Sequence, residues 1–393
     1  MTKPLIKRLL AAICLVMTFP GQSRAGTMPP VKTVFIILME NQDWQNVKSS
    51  SNAPYMNTVL LPMCSSCSQY YNPPGVHPSL GNYIWLEAGT NFGILDDNYP
   101  SLDHQSTTSH LTTLLNNAGI SWKAYEEDIP GDVVPLVNVN GYVVRHDPFA
   151  YFDDVTGTNN PSWPYGIAHI RPFTELAGDL ASNNVAQYNF ITPDLCDDGH
   201  DACAPYFDNI QQSDLWLSTE IPMITNSLAY QSNGAIFITW DENNNDSQPV
   251  GLLMISPLAK GGGYVSTNHY THSSTVRTMQ EIFGVKPLLN DAANAADLSD
   301  LFVPPPVHPG TNTVASPVSI GFNVTGGLML PGGAFQFTVT GATPGMTNLI
   351  QSSSDLATWV CIGTNMDASI NYTFTDLNAA NSNQQFYRVI QVP

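Results

Sequence analysis

Apolar and polar positions follow one another in two different ways along this chain. Up to about residue 302, continuous apolar runs recur, such as VFIILM from Val34, VAQYNFI from Val185, AIFITW from Ala235 and GLLMIS from Gly251. Runs of this kind are typical of strands buried on both faces. The segments SHLTTLLNNAG and SSTVRTMQEIFG have helical spacing, and the second opens on serine and closes on glycine. The alternation predicts an α/β fold, a three-layer αβα sandwich around a mainly parallel sheet, over residues 26–302.

A different pattern begins after VPPPVHPGTNTVASP, which spans residues 303–317. Its proline, glycine and small polar residues predict a linker. Beyond it, AFQFTVTG, INYTFTD and QFYRVIQV alternate apolar and polar residues. Period-two alternation between turn-forming clusters predicts a small C-terminal all-β sandwich at residues 318–393.

The first 25 residues have the layout of a secretory signal peptide. Lys3, Lys7 and Arg8 precede the apolar run LLAAICLVMTF, and the segment from Ser23 to Ala25 offers a cleavage site between small residues. The apolar run is too short to span a bilayer, although an uncleaved anchor is the alternative interpretation. The sequence therefore predicts an exported protein, secreted or periplasmic, without a stable membrane span.

The net charge of the chain limits the classes of partner that it could bind. The formal charge is −19, and removal of residues 1–25 would take away four cations and no acid, giving −23. A surface this acidic repels nucleic-acid phosphates, so binding to nucleic acid is disfavoured. A small anionic substrate would need a local positive charge, and a metal ion is the obvious source.

Cysteine spacing allows two interpretations in an exported protein. Cys64 and Cys67 form one close pair, and Cys196 and Cys203 form another. Oxidising compartments favour two disulfides, whereas the same four residues have spacing that suits a zinc site. Cys361 is left over and is predicted to be a buried free thiol.

Polar residues follow the predicted buried strands at the point where each strand ends. They are Glu40 and Asn41, then Asp194 with His200, then Asp241 and Glu242, and finally His272 before the last helix. Taken singly, each suits a helix cap or a turn. Parallel strands, however, bring their carboxyl ends to one edge, where carboxylates repel each other unless a cation sits among them. Oxygen ligands suit Mg²⁺, Ca²⁺ or Mn²⁺, and added histidine admits Zn²⁺ or Fe.

A candidate nucleophile lies in HPSLGNYIWLEAG, which begins at His77. Ser79 stands just ahead of an apolar helical stretch, where it would serve either as a helix cap or as an activated hydroxyl. The positive end of a helix and a neighbouring metal both lower the pKa of such a hydroxyl. Asn82, three residues further on, would be able to donate to a phosphoryl oxygen.

Several motifs recur in one order, and together they resemble a known family. ENQDW, HPSLGNY, GISWKAYEEDIPG, HDPFAYF, TPDLCDDGHDAC, WDENNND and NHYTHSSTVRTMQEIFG resemble the phosphoesterase family of secreted acid phosphatases and phospholipases C. The resemblance covers nearly all of residues 31–288. That family is similar in fold to the alkaline phosphatase superfamily.

The resemblance implies a role for each candidate residue. Metal ligands fall on Glu40, Asn41, Asp241 and Glu242, and Asp194 falls near a second metal position. HPSLGNY also resembles the nucleophile segment of nucleotide pyrophosphatases, which implies Ser79 as nucleophile and Asn82 as phosphoryl-binding residue, with Gly81 where proline is common. His200 or His272 would protonate the leaving group. His146, in HDPF, would contact substrate, and Asn41 would bind either the metal or the phosphoryl group.

The C-terminal segment resembles β-sandwich modules attached to secreted proteins of Verrucomicrobia-like bacteria. The resemblance rests on the motif from Ser354 to Trp359 and on Phe386 to Arg388. Trp359 and Tyr387 are interpreted as core residues, and a ligand platform for envelope or glycan contact is the alternative.

The sequence thus predicts an exported, metal-dependent phosphoesterase that hydrolyses phosphate monoesters through Ser79, of the acid phosphatase type. The metal is Zn, Ca, Mg, Mn or Fe. Phospholipase C activity is the alternative within the same class. A non-catalytic, metal-binding surface protein on the same scaffold is the alternative from another class.

Overall fold

A computed structural model describes residues 28–244, 247–304, 323–330, 333–340, 347–353, 360–365, 371–376, 379 and 386–392. The chain divides into two compact units, Met1–Pro305 and Pro306–Pro393. The predicted signal peptide, most of the predicted linker and the segment from Ser354 to Trp359 lie outside the described residues, as does the side chain of Cys361.

The first unit contains both strands and helices. Its strands are β1 (Thr33–Met39), β2 (Ser65–Cys67), β3 (Tyr70–Tyr71), β4 (Trp122–Glu126), β5 (Ile170–Pro172), β6 (Tyr188–Thr192), β7 (Gly234–Trp240), β8 (Leu252–Ile255), β9 (Tyr264–Ser266) and β10 (Tyr270–Thr271). Its α-helices are α1 (Trp44–Val47), α2 (Leu61–Met63), α3 (Ser79–Ala88), α4 (Pro100–Asp103), α5 (Leu111–Asn117), α6 (Asp153–Thr156), α7 (Pro164–His169), α8 (Leu176–Ala181), α9 (Asn209–Thr225), α10 (Leu228–Gln231) and α11 (His272–Phe283). Short 3₁₀ turns occupy Val144–His146, Pro148–Tyr151, Phe173–Glu175, Asn290–Ala293 and Ser299–Leu301, and a π turn occupies Met56–Leu60.

Within this unit, eight strands form one sheet in the order β5-β4-β6-β1-β7-β8-β2-β9. The strands from β5 to β7 are parallel, and β8 is antiparallel to both of its neighbours. Every residue of β1 and β7 is buried, so both faces of the sheet centre are covered. On one side α3, α5 and α11 contact each other, while α9 contacts α10 and the π turn. The predicted mainly parallel α/β fold is confirmed.

Register at the centre of this sheet explains why polar groups converge. Met39 pairs with Trp240 across β1 and β7, so Glu40 and Asp241 follow directly at adjacent strand ends. On the other side of β1, Ile37 pairs with Ile191 of β6. The loop that follows β6 therefore leaves the sheet at the same edge, where ligands of parallel sheets bind.

Two helices complete that edge. Helix α3 begins at Ser79 and is capped at its C-terminus by Gly89. The φ of +69° at Gly89, and the Leu289 carbonyl that would lie 2.8 Å from an added Cβ, require glycine there. Helix α11 begins at His272 behind a capping box in which Thr271 is the N-cap and Ser274 is its partner. The cap is thus two residues earlier than the serine that the sequence suggested, while the predicted end at Gly284 is confirmed.

The second unit contains small antiparallel sheets, as predicted. Strands β11 (Asn323–Met329), β12 (Phe335–Thr340) and β15 (Asn371–Asp376) form one sheet, and β13 (Thr347–Ser353), β14 (Val360–Asn365) and β16 (Phe386–Val392) form another. Phe337, Val339 and Ile350 are its buried core. The Tyr387 ring stacks on Phe335 with 5.3 Å between ring centroids, which agrees with the core interpretation of Tyr387.

The cysteine pairs behave differently from each other. Cys196 and Cys203 form a disulfide, as predicted, whereas Cys64 and Cys67 are free and buried, so a second disulfide was wrong. The chain is extended from Cys64 through β2, and residues an odd number apart on an extended chain point to opposite faces. The alternative zinc site is also wrong, because Cys196 and Cys203 are consumed by their mutual bond.

None of the described helices is both long and apolar enough to cross a membrane.

Candidate active site

Backbone hydrogen bonds fix three chain segments at the edge of the sheet. The Glu40 N–H donates to the Asp198 carbonyl over 2.9 Å, and the Asp241 N–H donates to the Met39 carbonyl over 3.0 Å. The side chains of Glu40, Asp198 and Asp241 are fully buried. Three carboxyl groups are therefore held together in a site that solvent does not reach.

Asn41 bridges two of these carboxyl groups. Its backbone N–H donates to Asp241 Oδ1 over 3.0 Å, and its side-chain Nδ2 donates to Glu40 Oε2 over 2.9 Å. The backbone of Asn41 has φ = +50°, in the left-handed region that asparagine tolerates better than most residues. This conformation turns the chain sharply as it leaves β1.

Ser79 is the first residue of α3 and is almost fully buried. Its Oγ donates a 3.2 Å hydrogen bond to Glu40 Oε2. Gly81 lies one turn into the helix, where an added Cβ would meet Val76 Cγ1 at 2.8 Å and the Ile94 carbonyl at 3.0 Å. Close packing at this position leaves no room for a larger side chain.

His146 lies at the centre of the site. Its Nε2 is 3.1 Å from Glu40 Oε1, its Nδ1 is 3.2 Å from Asp198 Oδ2, and its ring stacks on Tyr83 with 4.8 Å between centroids. Despite these short distances, both ring nitrogens and both oxygens lack a partner with hydrogen-bond geometry. Asp241 Oδ2 is likewise buried without a hydrogen bond.

Burial and mutual repulsion shift the ionisation of these groups. Burial, together with the charges of Asp241 and Asp198, raises the pKa of Glu40 well above its usual range. Burial also raises the pKa values of Asp198 and Asp241. For His146, burial lowers the pKa well below its usual range, so its ring is neutral. A neutral imidazole with an available lone pair is the form that binds metals.

These features fit a divalent cation. One donor atom each from Glu40, His146 and Asp198 lies within 4.8 Å of the others. Buried donors that approach closely without pointing at one another are what ligands of a shared ion look like, because each lone pair is directed at the ion instead. Carboxylate oxygen combined with imidazole nitrogen suits Zn²⁺, Mn²⁺ or Fe. We call Glu40, His146 and Asp198 the Glu40 cluster.

Asp194 lies outside the Glu40 cluster, and its predicted place near a second metal position stays a prediction. Asp194 groups with Glu127 and Asp197 at a partly exposed position. Its Oδ1 accepts the backbone N–H groups of Cys196 and Asp197, so the carboxylate caps the turn after β6. Asp198, four residues later, occupies the buried position instead.

Glu242 contacts two residues that flank Ser79 in the chain, Asn82 and His77. Its Oε2 accepts from Asn82 Nδ2 at 2.8 Å and lies 2.8 Å from His77 Nδ1. Asn82 Nδ2 also donates to the Val76 carbonyl over 3.0 Å, so both amide hydrogens are in use. The predicted phosphoryl contact of Asn82 would require it to give up one of these hydrogen bonds; as placed, Asn82 positions Glu242.

His272 is fully buried, and both of its ring nitrogens are engaged. Nε2 lies 2.5 Å from the Asp241 carbonyl, and Nδ1 lies 3.1 Å from the Tyr70 hydroxyl. Burial lowers its pKa to about 4. This geometry does not support His272 as the proton donor to a leaving group, since its N–H is committed to a backbone carbonyl; the structure gives it a positioning contact with Asp241.

His200 lies at the rim, with its ring centroid 6.0 Å from that of His146. Its Nδ1 is 2.8 Å from Asp201 Oδ1, and its Nε2 is 3.3 Å from Arg145 Nη2. About a third of its side chain is exposed. Of the two predicted acids, His200 is therefore the one that is accessible to solvent.

Sequence reasoning missed several residues that the structure brings to this site. They are His77, Tyr83, Asp97, Arg145 and Asp198. Asp198 lies within the segment that was singled out for Asp194 and His200, and His77 lies two residues before Ser79. Asp97 belongs to a loop without any distinguishing pattern, so no sequence signal indicated it.

The chain is similar to a known protein family and to several named proteins. The model of the phosphoesterase family matches residues 50–286. The chain is 25% identical to an acid phosphatase of Aspergillus fumigatus, with 73% of this chain and 67% of that protein aligned. It is 23% identical to a phosphatidylinositol-3-phosphatase of Mycobacterium tuberculosis, over 71% of this chain and 85% of that protein.

A third relative matches over a shorter stretch. The phosphate-repressible acid phosphatase of Penicillium chrysogenum is 29% identical over 54% of this chain, which spans half the length of that relative. The family match covers more than half of the present chain and contains Ser79, His146, Asp198 and Asp241. The chain belongs to the phosphoesterase family, a family of phosphoric ester hydrolases.

Proposed function

We propose that this protein is an exported, metal-dependent phosphomonoesterase of the acid phosphatase type, with Ser79 as its nucleophile. The observation that carries the proposal is the 3.2 Å hydrogen bond from Ser79 Oγ to Glu40 Oε2, at the first turn of α3. This contact supports the proposal because the hydroxyl lies beside buried groups that would hold a cation and at the positive end of a helix, and both features activate an alcohol.

The Glu40 cluster, with Asp241 beside it, would hold the divalent cation. When bound, the cation would lower the pKa of the serine hydroxyl and neutralise charge on the phosphoryl group. Glu40, Asp198 and Asp241 supply oxygen donors, and His146 supplies nitrogen. Glu242, predicted as a ligand, contacts His77 and Asn82, which flank Ser79 in the chain.

The chain's own groups account for the remaining steps. Glu40 Oε2 accepts the Ser79 hydrogen and so orients Oγ towards an incoming phosphorus. Asn41 fixes the positions of Glu40 and Asp241 through two hydrogen bonds. His200 at the rim, when protonated at Nε2 in place of its contact with Arg145, would donate that proton to the leaving alkoxide and then take a proton from the water that releases phosphate from Ser79.

Monoesters are favoured over phosphodiester lipids by the relatives. The three relatives described above are named acid phosphatases or a phosphatidylinositol-3-phosphatase, which are monoesterases by name. Phospholipase C activity is the alternative. The apolar and basic pattern of residues 1–25 supports export.

Hydrolysis of p-nitrophenyl phosphate and of p-nitrophenyl phosphorylcholine by the metal-supplied protein separates these functions. We expect turnover of the monoester and little of the phosphorylcholine ester. The reverse preference would indicate a phospholipase C. Inactivity on both, with one metal ion bound per chain, would indicate a non-catalytic metal-binding protein.

A further inference from the structure

Arg145 lies at the rim of the site, directly before the cluster residue His146. Its side chain is mostly buried, with 17% exposed. Nη2 lies 3.3 Å from His200 Nε2, and Nε lies 3.6 Å from Asp97 Oδ2. Arg145 therefore brings a guanidinium group next to the partly exposed His200.

Asp97 connects Arg145 to the nucleophile. Asp97 Oδ1 accepts the backbone N–H of Leu80 over 3.1 Å, and Leu80 follows Ser79 in α3. The same carboxylate thus contacts both the first turn of the nucleophile helix and the guanidinium group. Asp97 therefore links Arg145 to the residue that follows Ser79 in α3.

The guanidinium group retains donors for a ligand. Arginine carries five N–H donors, and in the described part of the chain the contacts recorded for this side chain are those with His200 and Asp97. At 3.6 Å the contact with Asp97 is longer than a charge-assisted hydrogen bond, which is usually about 2.7–2.9 Å. Arg145 is therefore positioned without being neutralised by a tight, bidentate ion pair.

A cation at this place is informative because the chain is so acidic. Lysine and arginine total 13 residues against 32 acids. Other described cations form ion pairs elsewhere, such as Arg171 with Glu175 and Arg277 with Glu281. Buried carboxyl groups repel a substrate dianion, and a guanidinium group at the rim offsets that repulsion at the point of entry.

We propose that Arg145 recognises the extra non-bridging oxygen of a dianionic phosphate monoester and so sets the preference for monoesters over diesters. A diester replaces that oxygen with an esterified one and loses one negative charge, so it offers the guanidinium group a weaker partner. Planar, forked donors match phosphoryl oxygens better than the point charge of lysine. The inference rests on the proposed monoesterase function.

The test compares Arg145→Gln and Arg145→Lys with the parent, all supplied with the same divalent cation. We expect Arg145→Gln to lower kcat/KM for p-nitrophenyl phosphate by roughly 10- to 100-fold, the range for a lost hydrogen bond to a charged group. For bis(p-nitrophenyl) phosphate, kcat/KM should change by less than about threefold. Arg145→Lys should give an intermediate ratio of monoester to diester.

Inorganic phosphate provides a readout independent of turnover. Its dissociation constant, measured by calorimetry, should rise in Arg145→Gln by about the factor seen with the monoester. Arg171→Gln removes an arginine from a helix ion pair away from the site, and it should leave both measurements unchanged. Like Arg145→Gln, this control variant loses one positive charge.

The outcomes separate this inference from the proposed function. An equal fall on monoester and diester, or no change on either, would overturn the role of Arg145 while leaving the phosphatase activity in place. If the parent hydrolyses neither ester, the proposed function is wrong. Phosphate binding alone then tests the role of Arg145. Unchanged phosphate affinity in Arg145→Gln would then overturn the inference as well.

Discussion

Asp198 Oδ2 lies 3.2 Å from Nδ1 of His146 in a fully buried site. Asp194, only four residues earlier, faces a partly exposed acidic group instead. Two aspartates of one short loop thus have different surroundings. The difference makes them a matched pair for testing where a cation binds.

Asp198→Asn should remove bound metal, and Asp194→Asn should retain it. The amide is a weaker ligand without charge, so we expect at least about a tenfold loss of metal affinity in Asp198→Asn. Elemental analysis after dialysis against graded metal concentrations measures the effect. Equal metal content in the two variants would show that the ion does not bind at the Glu40 cluster.

Removal of His200 and removal of His272 should change the rate differently as the leaving group is varied. If His200 donates the proton, His200→Ala should slow alkyl phosphates more than p-nitrophenyl phosphate, because p-nitrophenolate needs little protonation. His272→Ala should slow both substrates by one common factor, since it disturbs Asp241 through a backbone contact. Rates on the two substrate types give this comparison. A leaving-group dependence for His272→Ala alone would reverse the assignment.

His110 should make the stability of the protein dependent on pH in the alkaline range. Burial lowers its pKa, but hydrogen bonds to Asp154 and Glu87 outweigh burial and raise the pKa to about 9. A raised folded-state pKa stabilises the fold below the unfolded value near 6.5, and that contribution is lost as pH rises through about 9. The Tm of the parent should therefore fall between pH 7 and 10.

His110→Gln should remove most of that slope and should cost roughly 3 kcal/mol at neutral pH, because it leaves the buried Glu87 carboxylate without its cation. Glu87 belongs to the same helix as Ser79, so the loss should also loosen α3. Thermal melts at several pH values measure both effects. If Tm depends on pH in the variant as it does in the parent, a titratable group other than His110 causes the alkaline loss of stability.

Reduction of the Cys196–Cys203 disulfide should weaken metal binding. The bond closes a short loop that contains Asp198 and His200, and its loss should cost roughly 2–3 kcal/mol by loop entropy. Cys196→Ser/Cys203→Ser should show a lower Tm and a weaker affinity for the divalent cation. The lower Tm with full metal affinity would mean that the loop holds Asp198 without the disulfide.

The sequence predicted the core of the fold and part of the site for physical reasons. Fully apolar runs identify β1 and β7, and the shared edge of parallel strands brings Glu40 and Asp241 together. An apolar run carries no direction, however, so the antiparallel course of β8 was not evident.

Loop geometry was less accessible from the sequence. Asp194 and Asp198 have the same chemistry, and the path of the turn between them decides which one is buried. The inward orientation of His272 depends on Tyr70 and on the Asp241 carbonyl, which are distant in the chain. Arg145 precedes a motif residue, yet its position beside His200 follows from tertiary packing alone.

The central claim is that Ser79 attacks phosphorus beside the cation site, and Ser79→Ala tests it most directly. The variant should retain metal content and thermal stability while its kcat/KM for p-nitrophenyl phosphate falls by at least about a thousandfold. Activity within about tenfold of the parent, in a folded and metal-loaded variant, would contradict the assignment of Ser79 as nucleophile.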